Sequence, residues 1–277
     1  MDLCLSCKAC KAECPSNVDI AKLKAEFLQH YYDANGISLR SWLIAYITSV
    51  NRLGSLLPGV FNFFLKNNLI AGFTKKILGF APARNIPLLY SSTLRLWSAK
   101  HNQGSIQTRQ KENEKTDGGN RSETTPDITK VVYLFADEFT NFNDVEIGIK
   151  AIKLLNALGY RVLIPDHEES GRTFLSKGLI RKAKKLANAN VSKLKDLITE
   201  DTPLIGIEPS AILTFRDEYP DMVDPELKEA ALNLAKNVVM FDEFVVNEVQ
   251  NAKCKMQNAY SGIRHWPSGI REKQSDT

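Results

Sequence analysis

The chain has 277 residues, 43% of them hydrophobic and 25% charged, with a net charge of +4 at neutral pH. This bounds it to one large or two modest domains of ordinary globular composition, and the charge is too mild to mark a nucleic-acid binder by itself. The longest uncharged apolar run, 53–65, contains Pro58 and Gly59 and falls well short of the about 20 residues a membrane-spanning helix requires.

The chain begins with its densest chemistry. Cys4, Cys7, Cys10 and Cys14 are spaced C-x2-C-x2-C-x3-C and followed by Pro15. A soft, sulfur-only ligand set suits an iron–sulfur cluster, and the spacing with its trailing proline is that of the bacterial ferredoxin run. A structural zinc site is the bland alternative, although zinc ligands usually come as two separated pairs. A disulfide pair is the other. No charged-then-apolar leader precedes the run, so a reducing, cytoplasmic setting is expected.

Residues 16–19 read as a helix start, with Ser16 and Asp19 spaced like a capping pair. Ile20, Leu23, Phe27, Leu28 and Tyr31 then recur at helical spacing. That stripe is expected to pack over the cluster, or to be an ordinary amphipathic face. Between Asp33 and Glu112 there is no acidic residue, while Arg40, Arg52, Lys66, Lys75, Lys76, Arg84, Arg95 and Lys100 alternate with Trp42, Tyr46, Phe61, Phe63, Phe64, Phe73, Phe80, Tyr90 and Trp97. Helices are expected over 39–57 and 65–80. Such a region forms a helical core with a partner-docking face, or lies on anionic lipid headgroups. Nucleic acid is excluded as a partner because no readout motif accompanies the charge.

Residues 100–128 are almost without apolar side chains and read as a disordered linker. Beyond it, strands at 131–135, 160–164, 203–207 and 237–241 alternate with helices at 144–158, 174–188, 192–198, 209–215 and 226–235, with a last helix to 249. The expected fold is thus an α-helical ferredoxin-like [4Fe-4S] segment followed by an α/β parallel-sheet domain. The expected boundaries are 1–99, 100–128, 129–252 and an irregular tail at 253–277. In such sheets ligands bind beyond the carboxyl ends of the strands. There the sequence offers Asp137, Glu138, Thr140, Asn141 and Asn143, then His167 to Arg172, then Glu208 to Ser210, and Asp242 with Glu243. No phosphate-binding glycine motif is present. His167, beside two glutamates, is read as a solvated surface histidine ahead of a metal or acid–base group.

Four segments carry a family resemblance: 3–26 (LCLSCKACKAECPSNVDIAKLKAE), 139–148 (FTNFNDVEIG), 170–178 (SGRTFLSKG) and 206–219 (GIEPSAILTFRDEY). With them the chain resembles the iron–sulfur portion of FAD-linked 2-hydroxy-acid dehydrogenases. That group includes the iron–sulfur subunit of glycolate oxidase, the flavin/iron–sulfur D-lactate dehydrogenases and the anaerobic glycerol-3-phosphate dehydrogenase subunit. The resemblance implies a [4Fe-4S] cluster held by Cys4, Cys7, Cys10 and Cys14, FAD on a missing or partner portion, and electrons relayed toward a quinone or other acceptor. It also implies a flavin-containing dehydrogenase partner and a location in the cytoplasm, with peripheral contact on the inner face of the cell membrane. The chain is then part of an oxidoreductase and not catalytic alone, since chemistry at the substrate belongs to the flavin.

The departures matter as much. Relatives carry two cysteine runs, and this chain has one. In two-cluster ferredoxins the fourth cysteine of a run ligates the other cluster, so Cys14 is expected to belong to a second cluster. The α/β domain resembles the cysteine-rich CCG domain, yet the CCG position reads Glu169-Ser170-Gly171, and Ala211 stands where relatives can have cysteine. This domain is expected to act as a scaffold or docking body, and the chain to be a fragment or split-gene product.

Overall fold

In a computed structural model that describes residue 4, residues 9–102 and residues 130–248, the fold is organised by β1 (Lys130–Phe135). Its run of β-branched and aromatic residues is buried on both faces, as parallel strands require: Val132, Leu134 and Phe135 are at most 1% exposed. β2 (Tyr160–Leu163) pairs along one edge, Lys130 opposite Tyr160. β3 (Leu204–Gly206) pairs along the other, Tyr133 opposite Leu204, and β4 (Val238–Met240) adds beyond it. The sheet is entirely parallel in the order β2-β1-β3-β4. The chain direction across it reverses between β1 and β3, the switch point at which such sheets open a crevice.

Six helices precede the sheet: α1 (Ala9–Glu13), α2 (Ile20–Asn35), α3 (Leu39–Ala45), α4 (Ile47–Gly54), α5 (Pro58–Lys66) and α6 (Asn68–Leu78). A seventh, α7, occupies 94–102. α8 (Val145–Ala157) connects β1 to β2 and buries Val145, Ile152 and Leu155 completely. α9 (Arg172–Ser176) and α10 (Ile180–Leu194) connect β2 to β3. α11 (Pro209–Asp217), α12 (Tyr219–Met222), a 3-10 turn at Pro225–Leu227 and α13 (Lys228–Lys236) lead to β4. The largest core joins Phe135 and Leu204 to Val191 and Leu194 of α10, Ile212 and Phe215 of α11, and Leu234 of α13. Helix α14 at 241–248 lies in a separate unit. Among the described residues no helix is long and apolar enough to cross a membrane.

The helical region and the sheet pack as one compact unit through Met240. Their seam holds a small core of Ala45, Phe174 and Ala183, with Tyr46 edge-on to Phe174 at 5.0 Å. The Thr173 hydroxyl donates to the Ala45 carbonyl at 3.0 Å. Arg181 grips both carboxylate oxygens of Asp33, at 2.9 and 2.7 Å, and Lys22 pairs with Asp221. Gly178 adopts φ +73°, and a Cβ there would sit 2.2 Å from the Leu28 Cβ. Only a glycine permits both that turn and that approach.

Several expectations are corrected. The expected helix 39–57 is two helices, broken at Tyr46, whose cap conformation ends one and opens the next. The expected helix 65–80 divides at Asn67, whose side chain caps α6 by accepting from Leu69 and Ile70 N–H. The expected helix 174–188 breaks at Gly178, and its second part continues to Leu194. Ser16 does not cap α2; Asp19 does, accepting from Lys22 N–H at 3.1 Å. α7 extends to residue 102, three residues into the segment read as linker, and Asn102 donates to the Val162 carbonyl. The rest of that segment, the tail from 249 and Cys254 lie outside the described residues.

The stripe expected to cover the cluster is also corrected. Ile20, Leu23, Phe27 and Tyr31 are between 45% and 53% exposed, while Lys24 and Ala25 are the buried residues of α2. Of the expected stripe only Leu28 meets the sheet side, where it and the Ala25 backbone press closely on Gly178. Helix α8 shows a milder version: Leu158, expected inward, is 44% exposed just past the helix end.

Candidate functional site

The cysteine run surrounds α1. Cys4 is half-buried, and its carbonyl accepts from the buried Lys24 Nζ at 2.7 Å, which ties the start of the run to α2. Cys10 is exposed on α1, and Cys14 is half-buried just after it. Cys7 lies outside the described residues. The backbone after Cys14 turns sharply: Asn17 N–H donates to the Cys14 carbonyl at 2.9 Å, and Asn17 takes φ +54°. The backbone N–H groups of Val18, Ser16 and Asn17 nearby hold the Cys14 thiol below its ordinary range. Successive backbone N–H groups gathered around one atom make an anion-binding nest. A thiolate that ligates a cluster needs such donors, because hydrogen bonds to sulfur stabilise the cluster's negative charge. The residues present therefore fit the group the sequence implies. Among the described residues no three His, Cys, Asp or Glu side chains converge as a ligand set, so Cys4, Cys10 and Cys14 do not by themselves form one triad.

A second candidate lies at the strand ends. A cavity of about 370 Å³ opens beyond β1 and β2, lined by Asp137, Glu138, Asn141 and residues 166–169 from the sheet side. Thr48, Arg52 and Ser55 of α4, with Thr93 and Arg95, line it from the helical side. Thr48 donates to Glu169 at 2.5 Å and Asn51 to Asn143 at 3.0 Å, fixing α4 over the sheet. Arg95 donates to the carbonyls of Pro165 and His167 at 3.3 and 2.9 Å.

The strand-end residues named from the sequence are thus brought together, in an environment that sequence reasoning misjudged. His167 is buried at 6% exposure, contrary to its reading as a solvated histidine. Its Nε2 accepts from Ala136 N–H at 3.1 Å, so Nδ1 carries the proton and donates to the Glu168 carbonyl at 2.6 Å. Burial, helped by the Arg95 charge, pushes it down to about 3 and keeps it neutral. It latches two loops and has no nitrogen left for a metal.

Glu138 is 3% exposed and accepts from the Ser170 hydroxyl. Burial, opposed by that bond, raises its carboxyl to about 7. Asp137 and Glu169 are raised in the same direction, chiefly by burial. The Glu169-Ser170-Gly171 turn therefore has its own logic without cysteine. Gly171 supplies φ +79°, Ser170 joins Glu138 to the start of α9, and the buried Tyr219 hydroxyl donates to the Ser170 carbonyl. Ala211 is 2% exposed in the core. No signal in the sequence distinguished these buried carboxylates from the exposed Asp166, because the helices that cover them are some ninety residues away in the chain.

The chain thus joins a cysteine-bearing helical region to a small parallel sheet, and the curated proteins it is similar to are dehydrogenases. Among curated proteins, the chain is 30% identical over 223 residues to the D-2-hydroxyglutarate dehydrogenase of Pantoea ananatis (strain AJ13355), covering 80% of this chain and 21% of that protein. It is 25% identical over 251 residues to the D-2-hydroxyglutarate dehydrogenase of Escherichia coli (strain K12), covering 91% of this chain and 23% of that protein. It is 30% identical over 99 residues to a subunit of the anaerobic glycerol-3-phosphate dehydrogenase of Escherichia coli (strain K12), covering 35% of this chain and 25% of that protein. The resemblance to FAD-linked 2-hydroxy-acid dehydrogenases is borne out by these matches, and the chain spans about a fifth to a quarter of the length of these relatives. No protein-family model matches the chain, and no solved structure does.

Proposed function

We propose that this chain is an electron-transfer module of a flavin-linked dehydrogenase acting on a small 2-hydroxy acid. Cys4, Cys7, Cys10 and Cys14 would hold [4Fe-4S] iron, with Cys14 serving the same cluster or an adjacent one. A bound cluster supplies one-electron steps between a two-electron flavin and its acceptor. The observation that carries this reading is the ferredoxin-type cysteine run in a chain similar to flavin-linked dehydrogenases, with the Cys14 thiol held below its ordinary range. This chain's own residues set that environment: Asn17 turns the backbone, Asp19 caps α2, and Lys24 holds the Cys4 carbonyl. FAD belongs to a flavin-containing dehydrogenase portion or subunit, which the exposed apolar faces of α2 and α4–α6 would meet. A cytoplasmic place, with peripheral contact at the membrane, follows from a quinone acceptor.

The test is anaerobic purification with iron and sulfide analysis. The expected result is a brown protein with broad visible absorbance, bleached by dithionite, that loses its colour in a Cys10→Ser variant. Colourless protein carrying stoichiometric zinc would overturn the reading and leave a zinc-stabilised binding module.

A further inference from the structure

Helices α5 and α6 contribute nothing to the cysteine run or to the strand-end cavity, and they carry their apolar side chains outward. None of the nine residues of α5 is buried. By helical spacing Val60, Phe63 and Phe64 share one side of α5, and Leu69, Phe73 and Ile77 one side of α6. All six are between 48% and 85% exposed. The other sides hold the pair to the body. Phe61 and Leu89 close on Gly54, and Ala71 is buried. The Asn62 amide donates to the Leu89 carbonyl at 2.7 Å and accepts from its N–H at 2.9 Å.

The occupant of the bare side is marked by charge, by helix length and by where the polar groups point. Lys66 follows Phe63 by three residues and Lys76 follows Phe73 by three, so each borders its helix's apolar side, and both are exposed. No acidic residue between Asp33 and Glu112 opposes them. Lysines at the margin of an apolar face lay their stems along acyl chains and keep their ammonium groups among anionic headgroups. At nine and eleven residues the two helices are too short to cross a bilayer, which takes about 20. They suit lying in its plane. The polar side chains point away from the face. Asn62 is bound to Leu89, Asn67 accepts from the N–H groups of Leu69 and Ile70, and Thr74 donates to the Ile70 carbonyl at 2.8 Å. Hydrocarbon demands such internal satisfaction, whereas a protein interface is ringed by polar groups that hydrogen-bond across it. Lipid is therefore favoured over a protein partner here.

We propose that α5 and α6 dock on a bilayer surface of anionic lipid, with Phe63 and Phe73 among the acyl chains and Lys66 and Lys76 at the phosphates. This deepens the peripheral membrane contact of the reading above and rests on that contact, not on the cluster. It narrows the face left to the flavin portion to α2 and α4.

The test is co-sedimentation of the full chain with vesicles of phosphatidylcholine alone and of phosphatidylcholine mixed with phosphatidylglycerol. The chain is expected to sediment with the mixed vesicles, and less so as salt is raised. Replacing Lys66 or Lys76 by Gln is expected to weaken binding about fivefold each. A Phe63→Ser, Phe73→Ser double variant, at exposed positions and checked for folding by circular dichroism, is expected to weaken it at least about tenfold. The proposal is overturned if the mixed vesicles leave the chain in solution, if both vesicle types bind it equally, or if the phenylalanine variant binds like the parent. It is also overturned if the chain is a dimer that the phenylalanine variant splits while vesicle binding stays the same, since a second copy then covers the face. Running the assay on brown and colourless protein separates the two readings. Absence of iron with intact vesicle binding overturns the electron relay alone, and brown protein that ignores the vesicles overturns the docking alone.

Discussion

The two regions of this molecule solve the burial problem differently. In the sheet region the large side chains are enclosed: Leu134, Phe135, Ile152, Leu204, Ile212 and Phe215 are all at 0% exposure. In the helical region Phe27, Leu53, Leu56, Leu57, Phe63, Leu69 and Phe73 stand between 53% and 85% exposed. Buried apolar surface contributes about 25 cal/mol per Å², so the sheet region carries the stability of the unit. Contiguous exposed apolar surface marks a contact face. The helical region also bears the cysteines, and it carries its basic groups without a single acid between Asp33 and Glu112. One part is built to stand, the other to be met.

The sharpest way to break this contrast is a matched pair of truncations. Ile212→Ala, in the main core, is expected to cost about 2–5 kcal/mol, read by urea denaturation. Phe27→Ser, on the outer face of α2, is expected to stay within about 0.5 kcal/mol. Equal losses would show that the helical region is as much a core as the sheet.

The buried carboxylates give a pH-dependent form of the same test. Glu138 is raised from 4.5 to about 7 in the folded chain. Its contribution is full below 4.5 and is lost as pH rises toward 7, on the order of 3 kcal/mol. His167, lowered from 6.5 to about 3, acts with the opposite sign: its contribution is present above 6.5 and lost as pH falls toward 3. The two offset each other between 4.5 and 6.5, so stability should rise through the acid range, level off and then decline toward pH 7. Glu138→Gln should remove the final decline in a series of denaturation curves. An unchanged decline would mean that Asp137 and Glu169, shifted in the same direction, carry it instead.

Gly178→Ala probes the seam. The added methyl would meet the Leu28 Cβ at 2.2 Å on a backbone held at φ +73°, with an expected cost of about 1–3 kcal/mol. The effect should fall on fluorescence from Trp42, which stacks on the seam residue Tyr46, more than on the core. The smallest effect is expected at Arg181 and Asp33. This is an exposed ion pair across the same seam, and Asp33→Asn should leave melting unchanged at moderate salt.

Much of the sheet region was legible because its signals are local. Alternating apolar runs and helical periods placed all four strands to within two residues. The helical region was less legible because its breaks lie at Tyr46 and Asn67, neither of which is a helix breaker by type. The orientation of α2 was misread for a related reason. The stripe of large apolar residues did not mark the buried face, which is formed by Lys24 and Ala25, and of the stripe only Leu28 reaches the close approach at Gly178. His167 shows the same limit at a single residue, since its cover comes from Arg95 and the β1 loop, not from its own neighbours in sequence. The carboxylates of the candidate site were named from the strand ends, but their burial depends on α4 and could not be read locally.

The roof of the strand-end cavity belongs to α4 and its floor to the loops after β1 and β2, joined by Thr48 to Glu169 and Asn51 to Asn143. The cavity therefore exists only while the helical region is seated on the sheet. By mass action, any molecule that occupies it stabilises the seated arrangement by RT ln(1 + [L]/Kd). Occupancy of a polar crevice and the posture of the cysteine-bearing helices then become one thermodynamic variable. Whatever occupies the crevice sets how firmly the cysteine-bearing helices are presented without touching them.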